Sequence, residues 1–275
     1  MELSNILNYE FVQRAFLAGI LIAAVSSILG VFLVLRRFSL IGDGLAHITF
    51  GSVAVVMLIG ISPMYITLAA LPLVMLSSLA ILKLTQSKRI QGDAAIGIVS
   101  SIGIAAGIVL ASLSNGYNLD LFSYLFGNIL TVTRVELIIS FLVFIAVIAT
   151  VIIFYDDLLA VTFDEELAKT MGVKTKRINI ILFLLTAISA VLAMKVAGIM
   201  LVSAMLILPP LIALQLSLSF RITIFASVIF SLLSVIFGIF IAFLLNLPTG
   251  GTIVLLNIGF LLFVFGAKKI LPSQR

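Results

Sequence analysis

Apolar stretches of about 20 residues recur along most of the chain, separated by short polar segments. A run of that length crosses a ~30 Å hydrocarbon core as an α-helix, whereas a transmembrane barrel would show ~10-residue alternating segments. The pattern therefore predicts an all-α polytopic membrane protein with about nine transmembrane helices. They are expected near residues 12–35, 40–60, 64–84, 93–113, 135–155, 178–194, 197–217, 222–246 and 251–267.

The basic residues predict the orientation, because cytoplasmic loops carry an excess of Lys and Arg. With the N-terminus outside and the C-terminus inside, thirteen of the 16 basic residues fall on the cytoplasmic side. Only Arg14, Arg134 and Lys195 then lie outside. The weakest boundary is around Lys195 to Gly198, where merging two helices would give eight spans and place Arg36 and Arg37 outside. We therefore expect nine spans, N-out and C-in.

The composition and the missing motifs exclude several classes of function. Hydrophobic residues make up 63% of the chain and charged residues 10%, with a mean hydropathy of +1.38. The chain has no cysteine and no P-loop, nucleophile elbow or H-E-x-x-H motif, so neither an enzyme nor an ATP-binding subunit is predicted. The net charge of +5 follows from the cytoplasmic loops, and no nucleic-acid partner is expected. The acidic N-terminus lacks the basic region of a signal peptide, so the first apolar segment is expected to stay in the mature protein.

Two segments are not simple spans, although one membrane domain, 1–275, accounts for the whole chain. Residues 115–133 are rich in Asn and Gly, and predict an external loop with a short or re-entrant helix. Residues 156–177 form the longest polar stretch and the main cytoplasmic loop. Pro209-Pro210 is expected to kink or end the seventh span. In the fourth span, Gly103 and Gly107 form a G-x-x-x-G pair that allows close helix contact.

A short amphipathic helix is predicted in the cytoplasmic loop, at about 162–172. Thr162 to Glu165 has the form of a capping box, and Gly172 suits the C′ position. Phe163, Leu167 and Met171 follow i, i+4, i+8 spacing and make one apolar stripe. The helix could lie on membrane lipid, but such helices usually have a basic polar face. Its acidic polar face favours docking of a soluble partner.

Asp43 and His47 lie four residues apart on one face of the second predicted span. Counting from Arg37, they sit roughly 10–15 Å into the membrane, where ionisable groups indicate a functional site or an internal partner. A carboxylate and an imidazole are both good ligands for zinc or manganese. Alternatively, the two side chains only hydrogen-bond each other and hold helices together. Because two ligands do not complete a site, a homodimer with this helix near its two-fold axis is one hypothesis for the remainder.

The charged pair Arg134 and Glu136 is expected at the external mouth. Glu136 could attract cations there, but facing water is the preferred interpretation.

Five short pieces of the chain are distinctive: Arg36 to His47, Gly92 to Gly97, Tyr124 to Leu130, Glu165 to Gly172 and Gly198 to Pro210. In this order, they resemble the permease subunits of bacterial ABC importers for zinc and manganese. They are spread over most of the chain, so the match is specific although each piece is short.

The resemblance implies a homodimeric permease of the larger, vitamin-B12-importer type in the bacterial inner membrane. It also implies cytoplasmic ATPase subunits and an extracellular metal-binding protein as partners, with no permanently bound cofactor. Asp43 and His47 match the family residues associated with metal passage. The segment carrying Phe163, Glu165, Leu167, Ala168, Met171 and Gly172 resembles the helix that couples the permease to the ATPase. Phe126, Asn128 and Glu136 are assigned to the external mouth or gate.

The expected cargo is zinc, with manganese or iron as alternatives within the same type of importer. The motifs look more like those of zinc uptake permeases, and imidazole is the softer, zinc-preferring ligand. A rival from another class is a proton-coupled secondary carrier that uses Asp43 and His47 without an ATPase. Such carriers commonly show internal repeats, and none is detected in the chain.

Overall fold

The computed structural model describes residues 9–62, 65–86, 92–113, 127, 131–199 and 202–270, and its regular elements are helical throughout. The helices are α1 (Glu10–Leu35), α2 (Ile41–Leu58), α3 (Ile66–Thr85), α4 (Gly92–Leu113), α5 (Arg134–Ile153), α6 (Tyr155–Phe163), α7 (Glu165–Thr170), α8 (Thr175–Ala197), α9 (Val202–Gln215), α10 (Phe220–Leu245) and α11 (Thr249–Ile270). The all-α prediction is confirmed.

Eight of the described helices are long and apolar enough to cross a membrane, and α9 is a shorter apolar helix of 14 residues. At 1.5 Å per residue, α9 is about 21 Å long, which is less than the ~30 Å hydrocarbon core. The helix predicted at 197–217 is therefore present but shorter than expected. The other eight spans fall within a few residues of their predicted positions.

The predicted break between the sixth and seventh spans is present, but the prolines do not end the helix that follows it. α8 ends at Ala197, and Gly198 follows with a left-handed φ of +83°. Pro209 and Pro210 lie inside α9, which continues to Gln215, so the expectation that they end the helix is wrong. Helices in membranes tolerate proline where neighbouring groups satisfy the freed backbone.

The most deeply buried spans are α1 and α2. α1 lies between α9, α10, α5 and α8, and α2 packs most extensively against α4 and then α3. Interhelical hydrogen bonds hold α10 to α1: Ser227 Oγ donates to the Ser27 carbonyl (3.3 Å), and Ser231 Oγ to the Ala23 carbonyl (3.0 Å). Small hydroxyl residues at such an interface allow close approach, and their hydroxyls donate to backbone carbonyls of the facing helix without introducing charge.

Residues predicted on the same side of the membrane lie together. Glu10 and Arg134, both predicted outside, form an ion pair. On the predicted cytoplasmic side, Arg36 pairs with Glu165, and Lys268 Nζ donates to the carbonyl of Gln215. These contacts agree with the predicted grouping of the residues on two sides of the membrane.

The cytoplasmic segment forms two short helices instead of the single helix predicted at 162–172. Thr162 lies inside α6, where its Oγ1 donates to the Leu158 carbonyl (2.6 Å). The cap of α7 is Asp164, whose Oδ1 accepts the backbone N–H of Leu167 (2.9 Å). The predicted capping box on Thr162 is therefore wrong, because that hydroxyl is already committed to the preceding helix.

Candidate functional site

Asp43 and His47 interrupt the burial of α2. Among the first ten residues of this helix, from Ile41 to Phe50, only these two are not buried. Their side chains are 47% and 23% exposed, and Asp43 Oδ2 lies 3.4 Å from His47 Nε2. The helix thus presents one polar pair, one turn apart, on the single open strip of an otherwise packed surface. The pair is in contact but retains open coordination positions.

Close helix packing fixes the position of this pair. A Cβ on Gly42 would lie 2.8 Å from the Leu206 side chain on α9, and one on Gly44 would lie 2.6 Å from Ile96 on α4. Gly103 of α4 approaches the carbonyl of His47 equally closely. Glycines flanking the pair thus let two helices reach the backbone of α2, and the predicted close contact through Gly103 is observed.

The described residues of one copy of the chain do not form a complete metal site. Within the described residues, no group of three or more His, Cys, Asp or Glu side chains could hold a metal ion. Asp43 and His47 supply one oxygen and one nitrogen donor, which is half of a tetrahedral set. Water, a second protein chain or a transient arrangement can supply further donors.

On the predicted cytoplasmic side, the rest of the chain leaves an apolar surface uncovered. Phe163, Leu167 and Met171 are 67%, 57% and 69% exposed, although the break at Asp164 places Phe163 on α6 and the other two on or beside α7. Gly172 takes the predicted C′ position with φ +86°, and the N–H of Val173 donates to the Ala168 carbonyl (3.0 Å). Large apolar side chains in a polar loop are typical of an interaction site.

The opposite side of α7 faces the body of the protein. Ala168 is 1% exposed, so it anchors α7 and does not present a surface to a partner. Glu165 Oε2 accepts from Arg36 Nη2 (3.1 Å), and Glu165 Oε1 accepts from Asn179 Nδ2 of α8 (3.1 Å). The Arg36 side chain is 6% exposed. Burial lowers the pKa of the Arg36 guanidinium, and the charge of Glu165 and its hydrogen bond oppose that shift.

Sequence reasoning gave no site role to Arg36 or Asn179. Glu165 was assigned to the coupling segment, but its partner Arg36 lies 129 positions away, and no local pattern joins two residues so distant in sequence.

Glu136 does not face water as expected. It is 3% exposed, and its carboxylate accepts hydrogen bonds from Thr67 Oγ1 (2.6 Å), Thr133 N (2.9 Å) and Thr133 Oγ1 (3.0 Å). Thr133 and Glu136 form a reciprocal capping box at the start of α5. The spacing Thr133-x-x-Glu136 is a sequence signature of this motif and could have identified it.

The remaining residues assigned to the external mouth, Phe126 and Asn128, lie outside the described residues, as does most of the loop 115–133. Gly127 between them is described, with φ +71°. A Cβ on it would lie 2.3 Å from the backbone nitrogen of Gly198, so the loop meets the end of α8 here.

Comparison with known proteins identifies a family over nearly the whole length. The matching family model is described as the ABC 3 transport family and covers residues 8–268. One relative is the manganese transport system membrane protein MntC of Halalkalibacterium halodurans, which is 33% identical over 96% of this chain and 90% of its own. Another is the high-affinity zinc uptake system membrane protein ZnuB of Haemophilus influenzae, 30% identical over 90% of this chain and 94% of its own.

A solved structure agrees with these relatives. The structure described as PsaBC from Streptococcus pneumoniae in complex with Fab contains a chain that superposes with a TM-score of 0.83. That chain is 33% identical, and the match covers 95% of this chain and 93% of that one. The arrangement of helices described above is therefore shared with a chain of that structure.

Proposed function

Because the chain belongs to the ABC 3 transport family, we propose that it is the permease subunit of an ATP-driven importer that carries a divalent transition-metal ion past Asp43 and His47. It is a multi-pass protein of the bacterial inner membrane. The relatives named for manganese and zinc transport support the class of cargo. A proton-coupled secondary carrier, the rival from the sequence, has no such support.

The observation that carries the proposal is the position of the pair on α2. Ionisable groups at membrane depth are costly, so a helix that keeps them has a functional reason to do so. Asp43 and His47 are the only side chains between Ile41 and Phe50 that are not buried, which leaves both free to contact an ion. Two donors 3.4 Å apart can hold an ion loosely, and a transported ion must be released.

A second copy of the chain is the proposed source of the missing donors. If the exposed pair faces a two-fold axis, the homodimer supplies two carboxylates and two imidazoles around one pathway. That number matches the four-coordinate preference of zinc, and water can expand the set for manganese.

The finer proposal for the cargo is zinc. Imidazole is a softer donor than carboxylate or water and favours zinc over manganese. The rival cargo within the same function is manganese, which has the support of the name of the Halalkalibacterium relative. Iron is the remaining alternative from the sequence.

The cytoplasmic partner is proposed to be a separate ATPase that contacts Phe163, Leu167 and Met171. The exposed apolar side chains give it a surface to bury, and the acidic residues beside them disfavour binding to anionic lipid. In the proposed cycle, an extracellular binding protein delivers the ion to the outer side. ATP binding and hydrolysis then act through α7 to open the pathway inward.

Metal uptake tests the proposal directly. Cells that contain the ATPase and the binding protein should be compared with wild-type, Asp43→Asn or His47→Gln chain at equal membrane levels. Asp156→Asn is the matched control, because it removes an exposed carboxylate outside the pathway. We expect both pathway variants to abolish uptake and the control to retain it. Competition between zinc and manganese in the same cells identifies the cargo.

Persistence of uptake in both variants would mean that Asp43 and His47 only pack together. Failure of the tagged chain to co-purify with an ATPase would contradict the importer itself.

A further inference from the structure

The carboxylate of Glu165 joins three parts of the protein. It begins α7, accepts a hydrogen bond from Asn179 on α8, and pairs with Arg36 at the end of α1. The arginine is almost fully buried, so its charge depends on this partner. An exposed ion pair contributes little, but this one holds a buried guanidinium and cannot exchange freely with water. α7 is therefore tied to the membrane helices by a specific polar contact.

Arg36 is close in sequence to α2, the helix that carries the candidate metal pair. Only residues 36–40 separate α1 from α2, and the N–H groups of Arg37 and Phe38 donate to the carbonyls of Val34 (3.1 Å) and Leu33 (2.9 Å). Arg37 adopts a left-handed φ of +61°, which residues other than glycine rarely adopt. The connection is short and hydrogen-bonded to the end of α1. A movement of Arg36 is therefore expected to move the start of α2.

Aromatic contacts stiffen the same connection. The guanidinium of Arg36 lies 5.5 Å from the centre of the Phe38 ring, and Phe38 meets Phe183 of α8 edge to face at 5.5 Å. Asp43 is the third residue of α2, and His47 lies one turn further on. A rigid path thus runs from Glu165 through Arg36 to the candidate metal pair.

We propose that the Arg36–Glu165 ion pair is the link through which α7 moves α2, which makes both residues positioning residues for the Asp43/His47 site. The inference rests on the proposed function and assigns two different roles to residues in and beside α7. Leu167 and Met171 point outward to the ATPase, whereas Glu165 passes the movement inward.

The test measures metal ions moved per ATP hydrolysed by the complete complex in lipid vesicles. Glu165→Gln keeps the shape of the side chain and removes its charge. Glu166→Gln is the control, because Glu166 is 85% exposed and contacts only Lys169 among the ion pairs of the described residues. We expect Glu165→Gln to assemble and hydrolyse ATP but to lower the ratio about tenfold, the scale of one weakened charge-assisted hydrogen bond. Glu166→Gln should match the wild type.

A label on the chain separates transmission from simple loss of structure. The sequence has no cysteine, so Leu40→Cys introduces a single attachment site, and Leu40 is exposed immediately before α2. The label should respond to ATP in the wild type and with Glu166→Gln, but not with Glu165→Gln. If the Glu165→Gln chain does not fold, Arg36→Lys keeps the buried charge and loses the planar guanidinium geometry, and the same loss of response is expected.

A wild-type ratio and label response in Glu165→Gln would overturn the link. So would loss of ATPase binding in Glu165→Gln, since Glu165 would then be a docking residue. If the wild-type complex moves no metal, the proposed function fails instead, and the label response still decides whether α7 and α2 are linked.

Discussion

A Cβ added to Gly103 would lie 2.7 Å from the carbonyl oxygen of His47 and 2.7 Å from the Cα of Ile48. The backbones of α4 and α2 therefore touch at the level of the candidate metal ligand. Any side chain at position 103 must move α4 or deform α2, because both obstructing atoms belong to the backbone. The geometry of the Asp43/His47 pair depends on this glycine even though Gly103 carries no chemistry.

Gly103→Ala is expected to lower stability and metal uptake together. Overpacking of this kind costs about 1–3 kcal/mol, and the displacement falls on the helix that holds His47. Gly97→Ala is the control on the same helix, since a Cβ there meets nothing within 4 Å. Thermal unfolding of the purified chains in detergent, alongside uptake, provides the comparison. Equal stability of the two variants would show that α4 can shift without cost.

Glu136→Ala is expected to destabilise the fold without changing the preference between zinc and manganese. The substitution removes the acceptor for Thr67 and breaks the capping box at Thr133, at a cost of about 2–3 kcal/mol for the unsatisfied donors. Glu10→Ala, which removes an exposed carboxylate of the pair with Arg134, should have little effect. Denaturation curves and metal competition assays measure the two properties separately. A change of metal preference with unchanged stability would show instead that Glu136 acts on cations at the external mouth.

Leu167→Asp is expected to leave the protein folded but to separate ATP turnover from uptake. Leu167 is exposed in the isolated chain, so the charge costs nothing until a partner covers it. Leu216→Asp places the same charge at another exposed apolar position on the predicted cytoplasmic side. ATPase binding, ATP turnover and uptake should be measured for both. Normal transport by an assembled Leu167→Asp complex would remove α7 from the coupling contact.

The spans could be predicted from the sequence because each is encoded locally. An apolar run of about 20 residues has few alternatives to a membrane helix, whatever its neighbours are. The exception is α9, which has 14 residues where the apolar run predicted a span over 197–217. Asp43 and His47 could also be found locally, since their i, i+4 spacing on an apolar helix stands out.

The wrong predictions concern polar groups with more than one available partner. Thr162 and Asp164 are both good caps, and the choice between them was decided by the hydrogen bond from Thr162 to Leu158. The charge of Glu136 predicts exposure to water, but the carboxylate is buried and accepts a hydrogen bond from Thr67 on α3. The Arg36–Glu165 pair depends on the meeting of α1 and α7, which no local pattern records.

Two adjacent glycines at the start of α11, Gly250 and Gly251, differ sharply in the space available to an added side chain. A Cβ on Gly250 would lie 2.2 Å from the carbonyl oxygen of Ala197 and 2.9 Å from its carbonyl carbon, both at the end of α8. A Cβ on Gly251 would meet only the Pro248 ring, at 3.9 Å. Ala197 precedes Gly198, which in turn touches Gly127, so the first turn of α11 supports the junction beneath the predicted external loop.

Gly250→Ala should therefore destabilise the protein by at least about 1–3 kcal/mol, because backbone atoms cannot rotate away from the added methyl group. Gly251→Ala should be neutral or slightly stabilising, since alanine loses less conformational entropy in a helix than glycine does. Thermal unfolding of the two variants measures the difference. Binding of the extracellular metal-carrying protein should weaken only with Gly250→Ala, because only that change displaces the end of α8. Equal unfolding temperatures would show that the contact between α11 and α8 opens easily, and the junction would then be a flexible joint and not a fixed support.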